Sequence, residues 1–272
     1  MTAAEILGLV VAGAIGGAMN AVAGGGTLVT FPTLLFFGTP PIVANATSTV
    51  ALVIGTWGSL YGYRRHLEAV RRWLGSFVPI SLVGGWIGGV LLTRTSNKTF
   101  AKLVPFLILF ATILFLAQGL VRRLWAAPLQ ERPPHPGPLP LSGAEAVGRR
   151  THALWGAVVF QFAVAIYGGY FGAGMGILML ASLGFLGLGN IYEMNTLKTI
   201  LGSLINLVAA VWFIYSGLIH WQKAGILTVG ALAGYYLGAH YSQRIAPARV
   251  RQVITVIGFV LAAVTFYEEF IR

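Results

Sequence analysis

The chain has 272 residues, of which 57% are hydrophobic and 9% charged, and its mean hydropathy is +0.80. A soluble domain is roughly 25% charged, so most of this chain must have a bilayer as its solvent, which excludes a soluble enzyme, a disordered regulator and a secreted disulfide scaffold. It holds 18 basic and 7 acidic residues, no Asp and no Cys, for a net charge of +11; in a membrane protein that excess belongs to cytoplasmic loops and an anionic cargo rather than to nucleic acid.

Glu5 is the sole charge before Arg64, so the basic leader of a secretory signal is missing and the first apolar stretch is expected to remain as a span. A helix needs about 20 apolar residues to cross the hydrocarbon core. Eight stretches qualify, at 6–23, 43–63, 74–93, 101–121, 153–171, 194–215, 224–241 and 250–267. Two shorter apolar runs, 27–37 and 177–188, follow the first and fifth. Eleven helical residues reach about 16 Å, half a membrane, so these runs read as re-entrant half-helices. Residues 122–150 hold six of the twelve prolines and form a polar linker between a first repeat, 1–121, and a second, 151–272.

The two halves match when the sequence slides by 150 positions without a gap. Gly24 then meets Gly174, Gly26 meets Gly176, Asn45 meets Asn195, Thr49 meets Thr199, Gly84 meets Gly234 and Arg94 meets Arg244. The fold expected is an all-α integral membrane protein of about eight spans plus two half-helices, built from duplicated halves as secondary transporters often are. Arg64, Arg65, Arg71 and Arg72, and the linker residues Arg122, Arg123, Arg132, Arg149 and Arg150, place the 64–72 loop and the linker in the cytoplasm of a prokaryotic inner membrane. Basic residues divide 11 inside to 6 outside if the repeats are parallel and 12 to 5 if they are inverted. The shortness of 27–37 favours the parallel arrangement.

Gly24, Gly25 and Gly26 interrupt the first apolar helix, and Gly172, Gly174 and Gly176 repeat the break in the second half. Glycine is a poor helix former, and backbone freed by such a break must be buried in protein or line a wet cavity. A helix restarting there, at Thr27 in the first copy, points partly positive amides at that cavity, which suits an anion. Isolated glycines such as Gly84, Gly85, Gly88 and Gly89 are read instead as helix-packing positions. After each half-helix comes a polar helix start: Asn45, Thr47, Ser48 and Thr49 in one half, Asn195, Thr196, Lys198 and Thr199 in the other. These are candidate substrate ligands, with N-capping as the competing role of the two Asn. Lys198 is a basic residue inside a span and so a candidate for cargo attraction and, with Glu193, for proton coupling.

The run Gly24-Gly25-Gly26-Thr27-Leu28-Val29-Thr30-Phe31-Pro32-Thr33-Leu34-Leu35-Phe36-Phe37-Gly38, in its duplicated setting, resembles the TauE/SafE family of sulfite exporter-like permeases. The second copy departs from it, with Ser182 in place of Pro32 and Ala173 between the glycines. The resemblance implies secondary export of small sulfur-containing or carboxylate anions, without ATP. No cofactor, metal site, catalytic residue or nucleic-acid partner is expected; the partners are the anion and the lipid, and a homo-oligomer stays open. An anion channel and a non-transporting assembly partner are the alternatives.

Overall fold

The computed structural model describes residues 1–22, 25–63, 67–126, 143–185, 191–241 and 247–271, which are helical and contain no strand. The helices are α1 (Ala3–Val22), α2 (Thr27–Phe36), α3 (Pro41–Tyr63), α4 (Leu67–Arg94), α5 (Asn97–Ala126), α6 (Gly143–Tyr170), α7 (Met175–Phe185), α8 (Ile191–Tyr215), α9 (Trp221–Tyr241) and α10 (Pro247–Phe270). Four of them contain stretches long and apolar enough to cross a membrane unaided: Ala3–Ala21, Val70–Arg94, Asn97–Leu114 and Glu193–Tyr215. Leu7, Val11 and Ile15 on α1, Val229 and Tyr236 on α9, and Val256 and Val260 on α10 all face outward. Such a surface would aggregate in water and matches lipid tails. The protein is an integral membrane protein.

The two short helices double back along the helices that precede them. A Cβ added at Gly16 would stand 2.7 Å from Thr30, and one at Gly8 would stand 2.7 Å from the Phe37 ring, so α2 runs antiparallel to α1. In the second pair, Gly168 lies against Met175, and Ser182 Oγ donates to the Ala157 carbonyl at 3.4 Å. Each pair is a helical hairpin that returns to the face it left. The run at 27–37 therefore does not dip in and return by itself, as the parallel arrangement requires. It completes a return begun by α1, because the glycine break turns the chain at the far end of that helix.

The first hairpin starts and ends at the face where α3 begins and α4 ends. There Ile42 N donates to Asn97 Oδ1 at 3.2 Å and Trp212 Nε1 donates to Thr93 Oγ1 at 3.2 Å. The second hairpin opens from the other face, where Val70, Ala157, Leu183 and Met194 share one core cluster. α5 and α10 pair antiparallel, with Phe106 against Phe266 and Phe270 at ring distances of 6.2 and 6.0 Å.

Close helix contacts are made by glycine. α1 packs on α9, where Gly13, Gly17, Gly230, Gly234 and Gly238 each present bare backbone to the partner helix. α4 packs on α6 in the same manner through Gly84 and Gly88, and on α8 through Gly85. Small residues let backbones approach where no hydrophobic driving force exists. A Cβ at Gly234 would collide with the Ala14 carbonyl oxygen, which is backbone and cannot swing aside. Gly234→Ala is therefore expected to destabilise the protein by about 1–3 kcal/mol. Gly225 lies on the same helix with nothing within 4 Å of an added Cβ. Gly225→Ala should be neutral or stabilising by up to about 1 kcal/mol, since Ala is the better helix former. Thermal unfolding of both variants in detergent checks the contrast; equal losses would show that helix approach is not the cause.

Candidate anion site between the hairpin tips

The tips of the two hairpins meet across a cavity of about 220 Å³. Gly25 and Thr27 line it from the first tip, and Gly172, Met175 and Gly176 line it from the second. α2 and α7 thus begin at one place, having come from opposite faces. Gly172 and Gly174 hold φ angles of +80° and +76°, a left-handed turn that side-chain-bearing residues rarely adopt. That turn lets Met175 N donate to Gly172 O at 3.3 Å and Ile177 N to Gly174 O at 3.0 Å.

α8 supplies the most polar wall. Asn195, Lys198, Thr199, Gly202, Ser203 and Asn206 all line the cavity, and their spacing of three or four keeps them on one helical stripe. α3 faces them with Thr49, Leu52 and Thr56, again one stripe. Phe171, Met175 and Met179 add an apolar side. Lys198 reaches along the second tip, its Cδ 3.4 Å from where a Gly176 Cβ would stand, so a larger residue at 176 would crowd it. Among the described residues no carboxylate lines the cavity, and Glu193, half-buried in the first turn of α8, makes no ion pair with Lys198. The cavity thus gathers one basic side chain, several neutral donors and the N-terminal end of α7.

The remaining candidate residues have other places. Ala23 and Gly24 lie outside the described residues. Gly26 packs against the Gly16 carbonyl, and Gly174 against Ala111 and Leu114 of α5. Asn45 is buried with Nδ2 donating to the Tyr170 carbonyl at 3.0 Å. Thr47 Oγ1 accepts from His220 N at 3.1 Å near the face where α9 begins. Ser48 Oγ bonds Thr30 Oγ1 at 2.6 Å, tying α3 to α2. Thr196 is buried and does not line the cavity.

Five polar lining residues escaped the sequence reading: Asn20, Thr56, Ser203, Asn206 and Tyr235. Asn206 continues the stripe from Asn195 at helical spacing, a signal present in the sequence. Asn20 Oδ1 accepts from Gly25 N at 2.8 Å and Gly26 N at 2.9 Å, so its side chain satisfies the broken backbone at the first tip. Its Nδ2 donates to the Tyr235 hydroxyl at 2.8 Å, which donates to the Leu52 carbonyl at 3.3 Å. Among the described residues no group of three or more His, Cys, Asp or Glu is placed to hold a metal ion.

Residues 9–265 match the family described as Sulfite exporter TauE/SafE. A probable membrane transporter protein of Haemophilus influenzae is 27% identical over 255 residues, covering 92% of this chain and 90% of its own. The probable membrane transporter protein YfcA of Escherichia coli K12 is 22% identical, with 94% and 87% covered. A probable membrane transporter protein of a Sinorhizobium species is likewise 22% identical, with 93% and 89% covered. No solved structure matches the chain. A helical membrane protein with an acid-free polar cavity, matched along nearly its full length, belongs to the sulfite exporter TauE/SafE family of membrane permeases.

Proposed function

We propose that the protein is a secondary transporter that exports a small sulfur-containing or carboxylate anion by alternating access, the anion lying between the two hairpin tips. The observation that carries this reading is the cavity itself, which holds Lys198 and neutral donors and, among the described residues, no carboxylate. Gly25, Thr27, Thr49, Gly172, Gly176, Asn195, Lys198 and Thr199 contribute to it directly. Gly26, Gly174, Asn45, Thr47, Ser48 and Thr196 act on the hairpin tips and helix starts behind it. Glu193 and Lys198 are the groups available for proton coupling.

The architecture proposed is eight long helices and two half-helices in two inverted repeats, the half-helices closing the two hairpins, with 12 basic residues on the linker face and 5 on the other. The opening of the two hairpins from opposite faces supports inversion over the parallel arrangement, and the helix pairing supports the duplication. Exchanging each helix with the one five places on turns the α1–α9 contact into α6–α4 and the α3–α9 contact into α8–α4. Two bundles result, α1–α2–α3–α9 and α6–α7–α8–α4, with the cavity at their junction. Rocking one against the other would open it to either face.

Two experiments test this. Purified protein in sealed liposomes is given labelled sulfite, sulfate, sulfoacetate and acetate, with and without a proton gradient. Accumulation of one of them against its gradient supports a coupled transporter; equilibration alone favours the channel; no flux of any favours an assembly partner. For orientation, single cysteines are placed at Thr2 and Ser142, since the chain has none. A membrane-impermeant thiol reagent applied to intact cells is expected to label the first and spare the second. The reverse pattern would invert the assignment of faces.

A further inference from the structure

The two hairpin tips do not offer the cavity the same groups. At the first, two successive amides converge on one oxygen, that of Asn20, at 2.8 and 2.9 Å. This is the arrangement in which backbone amides hold an oxyanion. At the second, position 170 corresponds to Asn20 in the 150-residue register and is Tyr, whose hydroxyl lies 3.4 Å from Thr95 Oγ1, away from its tip. The position corresponding to Tyr235 is Gly85, which packs against Ile205. Gly55, the counterpart of Ile205, leaves the space that the Tyr235 ring fills. Both members of the Tyr235–Asn20 pair, and the room for its ring, thus serve the first tip alone.

We propose that the Asn20 carboxamide is a tethered occupant of the first tip's amide pair, positioned by Tyr235, so that one cargo anion binds, at the second tip beside Lys198. This rests on the reading of the cavity as the cargo site. Asn20 is neutral, so it fills the amide pair without opposing an anion elsewhere in the cavity. The Tyr235 hydroxyl fixes which way the carboxamide faces, because its oxygen accepts a hydrogen bond from Nδ2 and leaves Oδ1 for the amides. Tyr235 is a positioning residue: it acts through Asn20. The chain Leu52–Tyr235–Asn20–Gly25 also joins α3, α9 and both arms of the first hairpin, so the first tip moves with its bundle.

The test uses the full chain in liposomes, with sulfite, sulfate and sulfoacetate each as probe. Asn20→Ala vacates the amide pair and should lower KM for the transported probe while slowing maximal flux, because an extra anion-holding position appears in the path. Asn20→Asp puts a negative charge in the cavity and should raise KM by about tenfold or more. Tyr235→Phe keeps the ring over Gly55 and should shift KM in the direction of Asn20→Ala. A rise in KM for both Asn20→Ala and Asn20→Asp would mean that Asn20 touches cargo itself, and unchanged KM in both would mean that it is structural; either overturns the proposal. Hydrogen exchange across residues 20–28 gives a readout free of cargo. Asn20→Ala and Tyr235→Phe should both speed exchange at Gly25 and Gly26, and unchanged exchange would overturn the tethered bond. Wild-type protein that carries none of the probes would defeat the cargo reading, while the exchange result would still judge the bond.

Discussion

Lys198→Glu is expected to abolish anion uptake, and Lys198→Gln to raise the apparent KM about 5- to 30-fold, or about 1–2 kcal/mol for a partly solvated charge. The side chain lies on the α8 stripe between Asn195 and Thr199, against the second tip at Gly176, and among the described residues no carboxylate lines the cavity to neutralise it. Gln keeps most of the length and a donor but removes the charge, so the two substitutions separate electrostatic attraction from simple hydrogen bonding. Glu adds repulsion, which grows in a site partly shielded from water. The measurement is initial uptake into liposomes at matched protein density, with thermal unfolding of each variant as the control for folding. If Lys198 merely extended toward the interface, Gln would leave KM within scatter.

Lys223→Met is expected to lower the thermal unfolding midpoint clearly, because a buried ammonium that three oxygens share is removed at once. Lys223 Nζ stands 2.8 Å from Glu5, with the two side chains 8% and 14% exposed. The same ammonium donates to the Phe37 carbonyl at 2.9 Å and to Thr39 Oγ1 at 3.1 Å. Phe37 is the C-cap of α2, so this lysine satisfies an orphan carbonyl of the short helix while holding the first turn of α1. Removing it leaves Glu5 without its ion-pair partner in the first turn of α1. The double variant Glu5→Gln, Lys223→Met should be less destabilised than Lys223→Met alone, since it leaves no unpaired charge. Additive losses in thermal unfolding would show that the pair is not coupled.

The sequence carried the half-helices plainly. Their limits, Thr27–Phe36 and Met175–Phe185, fall within three residues of the apolar runs, because glycine breaks and abrupt changes in length are local signals. Gly84 and Gly88 likewise sit in helix contacts, as their small-residue spacing suggested. The direction of the half-helices was not legible: a short apolar run reads the same whether it completes the preceding helix's return or dips by itself. Asn20 and Tyr235 were hidden for another reason. They are 215 residues apart, and each alone is an ordinary polar group near a helix end. Lys223 and Glu5 lie in different halves of the chain, and only the fold brings them together. Asn45 and Thr47 carry polar groups that could serve cargo or structure, and tertiary partners, Tyr170 and His220, engage them here.

The pairing of α1 with α9 also sets a schedule for biogenesis. α1 reaches the membrane before α9, bearing Gly13 and Gly17, whose backbone is covered in the folded protein by Leu227 and Ala231. Those covering residues are synthesised some 215 positions later. At about 5–20 residues per second that interval is about 10–40 s. Throughout it, α1 must rest in lipid or against the insertion machinery with its closest-packing face bare, and the Asn20 carboxamide must wait for its tyrosine. The first half is therefore released as an incomplete bundle, and its assembly rate is governed by the arrival of the second.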